Sequence, residues 1–203
     1  PATFAAIVGG CADSSAEALE ATTEVVERMR RTPIRAKDSP GFIANRLARP
    51  FTLESLRMLE QGVADAETID RVCRAGGGFR MGPFELIDLI GLDVNLSVAR
   101  SFYAQGGQPE RWRPSPIQEE LVAAGRLGRK SGQGFYDYSD PPNLSSTVPS
   151  HQIARQGNSG SGETTLDLAA LAAIDPAAPA ILPRLFAQIA NEAAFALEEE
   201  VGS

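Results

Sequence analysis

One short segment of the chain carries an amide side chain in a setting that favours ligand binding. The run from Asp38 to Leu47 reads DSPGFIANRL, and its only side-chain amide is Asn45. Ser39 is predicted to cap a helix whose first position is Pro40, because proline needs no amide hydrogen there. On that helix Asn45 shares a face with Gly41, which leaves room for a ligand to approach. The alternative is an ordinary asparagine that faces solvent.

A second candidate is a lysine in a glycine-rich loop. The run 127–136 reads LGRKSGQGFY and places Lys130 among Gly128, Gly132 and Gly134. Glycines carry no Cβ, so a cation among them can come close to a phosphate. The pattern predicts a cofactor contact at Lys130, with a solvated lysine of no special role as the alternative.

These two segments belong to a longer series of short motifs. The others are EQGV at 60–63, GGGF at 76–79, MGPFEL at 81–86 and GLD at 91–93. Each motif alone is weak evidence. In this order and spacing, from about residue 37 to residue 138, they resemble the C-terminal domain of the 3-hydroxyacyl-CoA dehydrogenases, which use NAD to oxidise the 3-hydroxyl of acyl-CoA thioesters.

The resemblance implies roles for both candidates and an acyl-CoA substrate. In that family an Asn at the position of Asn45 helps to hold the substrate, and a Lys at the position of Lys130 lies near the NAD. The base is a His oriented by a Glu, both in the N-terminal dinucleotide domain. The stretch with that His would precede Pro1, and an ungapped alignment puts Ile7 at the position of the Glu. We therefore expect no dehydrogenase activity from this chain alone.

Composition excludes several other classes of protein. The chain has 203 residues, of which 43% are hydrophobic, enough for a core in one or two small domains. A net charge of −7 argues against nucleic acid as a partner. No apolar run approaches the ~18 residues of a membrane span and no signal peptide is evident, so we expect a cytoplasmic protein. Cys11 and Cys73 lack the spacing of metal ligands and are expected to be buried thiols.

The chain is predicted to be mainly α-helical and to divide into four parts. These are a β-α-β remnant of a dinucleotide-binding domain at 1–36, the helical dehydrogenase C-terminal domain at 37–138, a linker at 139–163 and a partial second helical copy at 164–203. The first part is too small for a complete dinucleotide-binding sheet, and Gly9-Gly10 lacks the G-x-G-x-x-G pattern. The linker contains the chain's only histidine, His151, to which we assign no catalytic role.

Local signals predict the helices of the main domain. The residues Ile43, Leu47 and Phe51 form a core stripe on the first helix, which Pro50 should kink. The predicted starts of the later helices are Asp65, Pro83, Asp93 and the pair Ser115-Pro116.

The last part of the chain is similar in sequence to the first helix of the main domain, at an offset of 138 residues. The matched positions are Glu192 with Glu54, Leu197 with Leu59, Glu198 with Glu60, and Arg184 with Arg46. Pro183 falls where the first copy has Asn45, so the second copy lacks the amide. The alternative is a chance similarity of two amphipathic helices. A truncated copy cannot bury its own apolar face, so it should pack on the first copy or on another chain.

We interpret the chain as the substrate and dimerisation portion of an NAD-dependent 3-hydroxyacyl-CoA dehydrogenase. A homodimer is expected, because that family pairs through this domain and because Leu53, Leu56 and Leu59 must be buried. The alternative is a non-catalytic helical module for self-association or for binding acyl-CoA. A dinucleotide fingerprint and a histidine upstream of Pro1 would favour the enzyme.

Overall fold

The computed structural model describes residues 4–8, 14–139 and 168–202, with backbone only for 4–8. The elements are β1 (Phe4–Val8), α1 (Ala16–Arg28), β2 (Thr32–Ala36), α2 (Ala44–Glu60), α3 (Ala66–Ala75), α4 (Pro83–Ile90), α5 (Leu92–Gln105), α6 (Pro116–Ala123), α7 (Leu168–Ile174) and α8 (Ala178–Glu198). Short 3-10 turns lie at Glu110–Trp112 and Arg129–Ser131. The mainly helical fold is confirmed. The predicted roles of Gly9-Gly10, Cys11 and His151 fall outside the described residues, as does nearly all of the predicted linker.

The predicted β-α-β unit is present at the start of the chain. β1 and β2 are parallel, with Phe4 opposite Thr32, and α1 connects them. The hydroxyl of Ser15 caps α1 by accepting a hydrogen bond from the Ala18 amide at 3.2 Å. No side chain of α1 is buried, and Met29, which follows it, is 64% exposed. Val25 of α1 is also 53% exposed, whereas Leu19 and Val26 are half-buried, so the apolar face of α1 is only partly covered.

The first helix of the main domain begins four residues later than predicted. Gly41 and Phe42 have positive φ angles of 75° and 51°, in the left-handed region, so the segment before Ala44 is a turn. The carbonyl of Ser39 accepts a hydrogen bond from the Phe42 amide in that turn. Ser39 and Pro40 were wrong as a helix start. α2 then continues as one helix through Pro50 to Glu60.

Three of the four predicted helix starts further along are confirmed. Asp65 accepts a hydrogen bond from the Thr68 amide at 2.7 Å, Pro83 is the first residue of α4, and Ser115 caps α6. Asp93 was wrong, because α5 begins one residue earlier, at Leu92, directly after Gly91.

The main core lies where α8 packs along α2 and α3. Leu56 of α2 and the free thiol Cys73 of α3 are fully buried in this core, whereas Leu53 of α2 packs in a second cluster with Ala99, Phe102 and Trp112. From the far end of the chain, the core receives Leu171, Ala178, Ile181, Leu182 and Leu185. The C-terminal segment therefore packs on the first helices within the same chain. The leucine face of α2 needs no second subunit to cover it.

Candidate functional site

Asn45 lies in the first turn of α2, and its side chain is exposed. The room that Gly41 was expected to leave is filled from inside the protein. A Cβ on Gly41 would overlap Cζ of Phe102, so glycine is required there for close packing against the ring. The open space lies beside this contact.

That space is a cleft of about 500 Å³ between the turn before α2 and the C-terminal half of α5. Its walls include Ser39 and Phe42 from the turn, and Phe102 and Gln105 from α5. The Ser39 hydroxyl is buried, and no group in the described residues hydrogen-bonds to it. The cleft therefore has an unsatisfied polar atom in its wall.

Arg49 lies one helical turn after Asn45 on the same face of α2. Its Cζ is 5.6 Å from the centre of the Phe102 ring, a cation–π contact. Its Nε and Nη1 atoms are buried and have no acceptor among the described residues. Burial lowers the pKa of this guanidinium, as expected where no negative charge offsets the lost hydration.

Arg46, the residue after Asn45, is fully buried and pairs with two carboxylates, while its Nη2 has no hydrogen-bond partner among the described residues. Its Nε donates to Glu192 at 2.6 Å and its Nη1 donates to Glu199 at 2.8 Å. Burial by itself would lower the pKa of Arg46, but the hydrogen bonds and charges of Glu199 and Glu192 raise it above its usual value. The guanidinium also lies 5.2 Å from the ring centre of Trp112.

Glu192 is the centre of this network. Its second oxygen accepts hydrogen bonds from Arg111 and from the indole Nε1 of Trp112, each at 3.1 Å. Its side chain is 3% exposed. A carboxylate this deeply buried is tolerable because both of its oxygens are satisfied by donors, two of which are cations.

A second ion pair joins the same two helices, with the arginine now on α8 and the glutamate on α2. Arg184 of α8 donates to Glu54 of α2 at 2.5 Å, and Arg57 donates to the other oxygen of Glu54 at 2.9 Å. The sequence offset of 138 residues aligns Arg184 with Arg46 and Glu192 with Glu54. Each arginine therefore pairs with the glutamate of the other helix. The offset of 138 residues thus relates the two ion pairs to each other, a relation that the sequence analysis did not predict.

Lys130 already has a partner. It lies in the 3-10 turn after α6, and its Nζ is 2.5 and 2.7 Å from the two oxygens of Asp93. The hydrogen bond from Lys130 lowers the pKa of Asp93 below its usual value. Because both side chains are more than a third exposed, this surface pair adds at most ~1 kcal/mol to stability.

Two of the glycines around Lys130, Gly128 and Gly134, are needed for packing rather than for an approach to a phosphate. A Cβ on Gly128 would overlap the carbonyl oxygen of Asp88, and one on Gly134 would overlap its carboxylate. That carboxylate accepts hydrogen bonds from the amides of Phe135 and Tyr136 at 2.9 and 3.0 Å. These two glycines let the loop close onto Asp88. A Cβ on Gly132, the third glycine of the loop, would meet no atom within 4 Å.

A second buried carboxylate ties the same loop to α4. Asp70 accepts hydrogen bonds from the Phe84 and Glu85 amides, both at 2.9 Å, and from the Tyr136 hydroxyl at 2.7 Å. Burial raises the pKa of Asp70 to about 6, although these hydrogen bonds act in the opposite direction. Asp70 and Asp88 thus account structurally for much of the motif series.

The two sequence candidates lie on different elements. No hydrogen bond or ion pair joins Asn45 to Lys130 in the part of the chain that the structure describes. Among residues 4–8, 14–139 and 168–202, no three His, Cys, Asp or Glu side chains are grouped as metal ligands would be. Within those same ranges, every helix is too short or too polar to cross a bilayer.

Comparison with protein families identifies the main helical unit. Residues 41–138 match the family model for the 3-hydroxyacyl-CoA dehydrogenase, C-terminal domain. These residues are a 3-hydroxyacyl-CoA dehydrogenase C-terminal domain. The resemblance inferred from the motifs is therefore confirmed.

Individual relatives agree with this assignment. The 3-hydroxyadipyl-CoA dehydrogenase of Escherichia coli is 48% identical over 132 residues, which cover 65% of this chain and 28% of that protein. The mitochondrial hydroxyacyl-coenzyme A dehydrogenase of Sus scrofa is 38% identical over 62% of this chain and 40% of its own length.

Solved structures give the same result. A 3-hydroxybutyryl-CoA dehydrogenase from E. coli aligns with a TM-score of 0.62 and 47% identity, over 66% of this chain and 28% of that one. An (S)-3-hydroxybutyryl-CoA dehydrogenase from Ralstonia eutropha also has a TM-score of 0.62, at 34% identity, over 68% of this chain and 48% of its own. The chain thus spans less than half the length of each of these relatives.

Removing Glu192 should strongly destabilise the fold formed by α2 and α8. Glu192→Ala leaves the Arg46 charge buried with only Glu199 beside it, and breaking a buried pair in this way typically costs ~3–5 kcal/mol. The control is Glu198→Ala on the exposed side of α8, which should stay within about 0.5 kcal/mol of the wild type. Urea unfolding measures both. Equal stability of the two variants would show that the buried network is not needed for the fold.

Proposed function

We propose that this chain is the C-terminal, substrate-holding part of an NAD-dependent 3-hydroxyacyl-CoA dehydrogenase. The complete enzyme would oxidise a 3-hydroxyacyl-CoA to a 3-oxoacyl-CoA. The observation that carries the proposal is the family match over residues 41–138. It is supported by the exposed amide of Asn45 at the start of α2, near an open cleft.

The proposed role of Asn45 is to hold an oxygen of the substrate. An amide in the first turn of a helix can donate a hydrogen bond to an oxygen, and the positive end of the helix dipole favours developing negative charge there. Asn45 therefore would act as a donor that positions the reacting group. The base would come from another part of the enzyme, since we assign no such role to any residue of this chain.

The proposed place of NAD is only partly built from this chain. The described sheet has two strands, and Gly128 and Gly134 pack on Asp88, so these residues do not form a dinucleotide site by themselves. Lys130 would contribute a single positive charge at the edge of the cofactor. To contact a phosphate it would have to share or leave its ion pair with Asp93.

We also propose that residues 164–203 are a partial second copy of the domain. The two ion pairs that join α2 and α8 support this, because each uses residues that correspond at the offset of 138 positions. Two related helices that pack with approximate two-fold symmetry make reciprocal contacts of this kind. The division of the remaining chain into a remnant at 1–36 and a linker at 139–163 stays part of this proposal, as does a cytoplasmic location.

A homodimer is proposed on the resemblance alone, and its geometry must differ from the one first expected. Leu53 and Leu56 are already buried within one chain, so a second subunit would have to use another surface. Sedimentation velocity at high micromolar concentration should then give twice the 21.5 kDa mass of the chain. A species that stays at 21.5 kDa would exclude the homodimer and leave the α2–α8 pairing as an internal substitute for it.

The acyl group of the substrate is not decided by the relatives. One E. coli relative is named for 3-hydroxyadipyl-CoA, whose acyl group ends in a second carboxylate. The solved structures from E. coli and R. eutropha are named for 3-hydroxybutyryl-CoA, whose acyl group ends in a methyl group.

The enzymatic role is tested by joining this chain to the part of the E. coli relative that precedes the matched region. We expect the joined protein to form NADH from 3-hydroxybutyryl-CoA or 3-hydroxyadipyl-CoA, and the 203-residue chain alone to form none. Asn45→Ala in the joined protein should lower kcat ~10²–10³-fold, while its stability changes by about 1 kcal/mol or less.

The matched control is Asn191→Ala, an exposed asparagine on α8 that should leave kcat unchanged. Wild-type turnover of Asn45→Ala would remove its catalytic role. If the joined protein folds and binds acyl-CoA but forms no NADH, the alternative of a non-catalytic acyl-CoA-binding module is favoured.

The proposed contact of Lys130 with NAD is tested by two variants, one that removes the lysine charge and one that breaks only the ion pair with Asp93. In the joined protein Lys130→Met should raise KM for NAD, by ~10-fold if one charge-assisted contact is lost. Asp93→Asn breaks the same ion pair but keeps the cation, so KM should not rise. Equal increases in both variants would show that Lys130 acts only by holding the loop in place.

A further inference from the structure

Two sheltered arginines on α2 differ sharply in their partners. Arg46 is fully buried and donates to the carboxylates of Glu192 and Glu199. Arg49, three residues later, has buried Nε and Nη1 atoms for which the described residues provide no acceptor. The fold thus supplies anions for the guanidinium of Arg46, whereas the guanidinium of Arg49 contacts only the face of an aromatic ring.

An unpaired, sheltered guanidinium is costly unless an anion comes to it. Its N–H donors lie in one plane, and a carboxylate can bind two neighbouring ones, either Nε with Nη2 or Nη1 with Nη2. The cation–π contact with Phe102 orients the group but does not satisfy its N–H donors. The missing partner should therefore be an anion from outside the described residues, and a carboxylate fits the fork best.

The position of Arg49 relates this missing anion to the substrate. Asn45 and Arg49 are one turn apart on the same helix face, about 6 Å along the axis. Phe102, whose ring Arg49 contacts, is also a wall of the cleft beside Gly41 and Phe42, although Arg49 and Asn45 are not themselves among the residues that line the cleft. A ligand with one oxygen at Asn45 could therefore extend along α2 and reach Arg49 with a second polar group a few carbons away.

We propose that Arg49 binds the carboxylate at the far end of a dicarboxylic acyl-CoA, and so selects such substrates over acyl chains that end in a methyl group. This inference rests on the proposed function, because Asn45 must hold the reacting end of the acyl group. Arg49 is then a specificity residue. A free phosphate of the CoA moiety, or a carboxylate from another part of a complete enzyme, is the competing partner.

The test compares two ligands that differ only at the end of the acyl chain. Adipyl-CoA and hexanoyl-CoA have acyl groups of the same length and the same CoA moiety, but only adipyl-CoA carries a terminal carboxylate. Calorimetric titration of the 203-residue chain should show tighter binding of adipyl-CoA, by ~10–100-fold for a charge-assisted hydrogen bond. Arg49→Met should remove this preference, while Arg80→Met, a change at an exposed arginine, should keep it.

The joined dehydrogenase gives the second measurement. Its kcat/KM should favour 3-hydroxyadipyl-CoA over 3-hydroxyhexanoyl-CoA by a similar factor, and Arg49→Met should selectively lower the value for 3-hydroxyadipyl-CoA. Thermal unfolding checks that the variant is folded.

Each other result has a distinct meaning. If the joined enzyme oxidises both substrates equally well, the proposed function stands and the role of Arg49 is overturned. An equal loss for both substrates in Arg49→Met also overturns it, because Arg49 then binds the shared CoA moiety or another part of the enzyme. If the joined protein folds but oxidises neither substrate, the proposed function fails and this inference fails with it.

Discussion

The buried charge of Arg46 is the constraint on which the arrangement of the helices depends. A guanidinium with no exposed surface needs anions within the protein, and here Glu192 and Glu199 supply them from α8 and the residue that follows it. The position of α8 on α2 is therefore set by charge as well as by apolar packing. Because Arg46 follows Asn45 directly, the same ion pairs also fix the first turn of α2, which presents the amide near the cleft.

The pairing of α2 with α8 is reciprocal, and this has a consequence for assembly. Arg184 and Glu54 repeat the contact of Arg46 and Glu192 with the helices exchanged. Two-fold symmetric dimers have the same pattern: if residue i of one subunit contacts residue j of the other, then residue j of the first contacts residue i of the second. The reciprocity supports the proposal of a second copy. It also means that the face of α2 most suited to another subunit is closed within one chain.

Local signals in the sequence predicted the elements that depend on neighbouring residues. Asp65, Pro83 and Ser115 start helices as expected, because caps act within one turn. The start of α2 was missed, since the left-handed turn at Gly41 goes with tight packing against Phe102, about sixty residues away. The prediction that Asp93 caps α5 was wrong for a similar reason. Its carboxylate pairs with Lys130, 37 residues later in the chain.

The candidate site also depends on contacts between residues that are distant in the sequence. A motif names the residues but not their partners, and the sequence did not indicate that Gly128 and Gly134 pack closely against Asp88. Groups such as Glu192 and Asp88 find their partners inside the fold, and folding alone explains them. Arg49 and the Ser39 hydroxyl do not find partners among the described residues. Buried polar atoms are nearly always satisfied in folded proteins, so the Ser39 hydroxyl in the wall of the cleft and the guanidinium of Arg49 on the face of Phe102 are the groups that support the proposed ligand site.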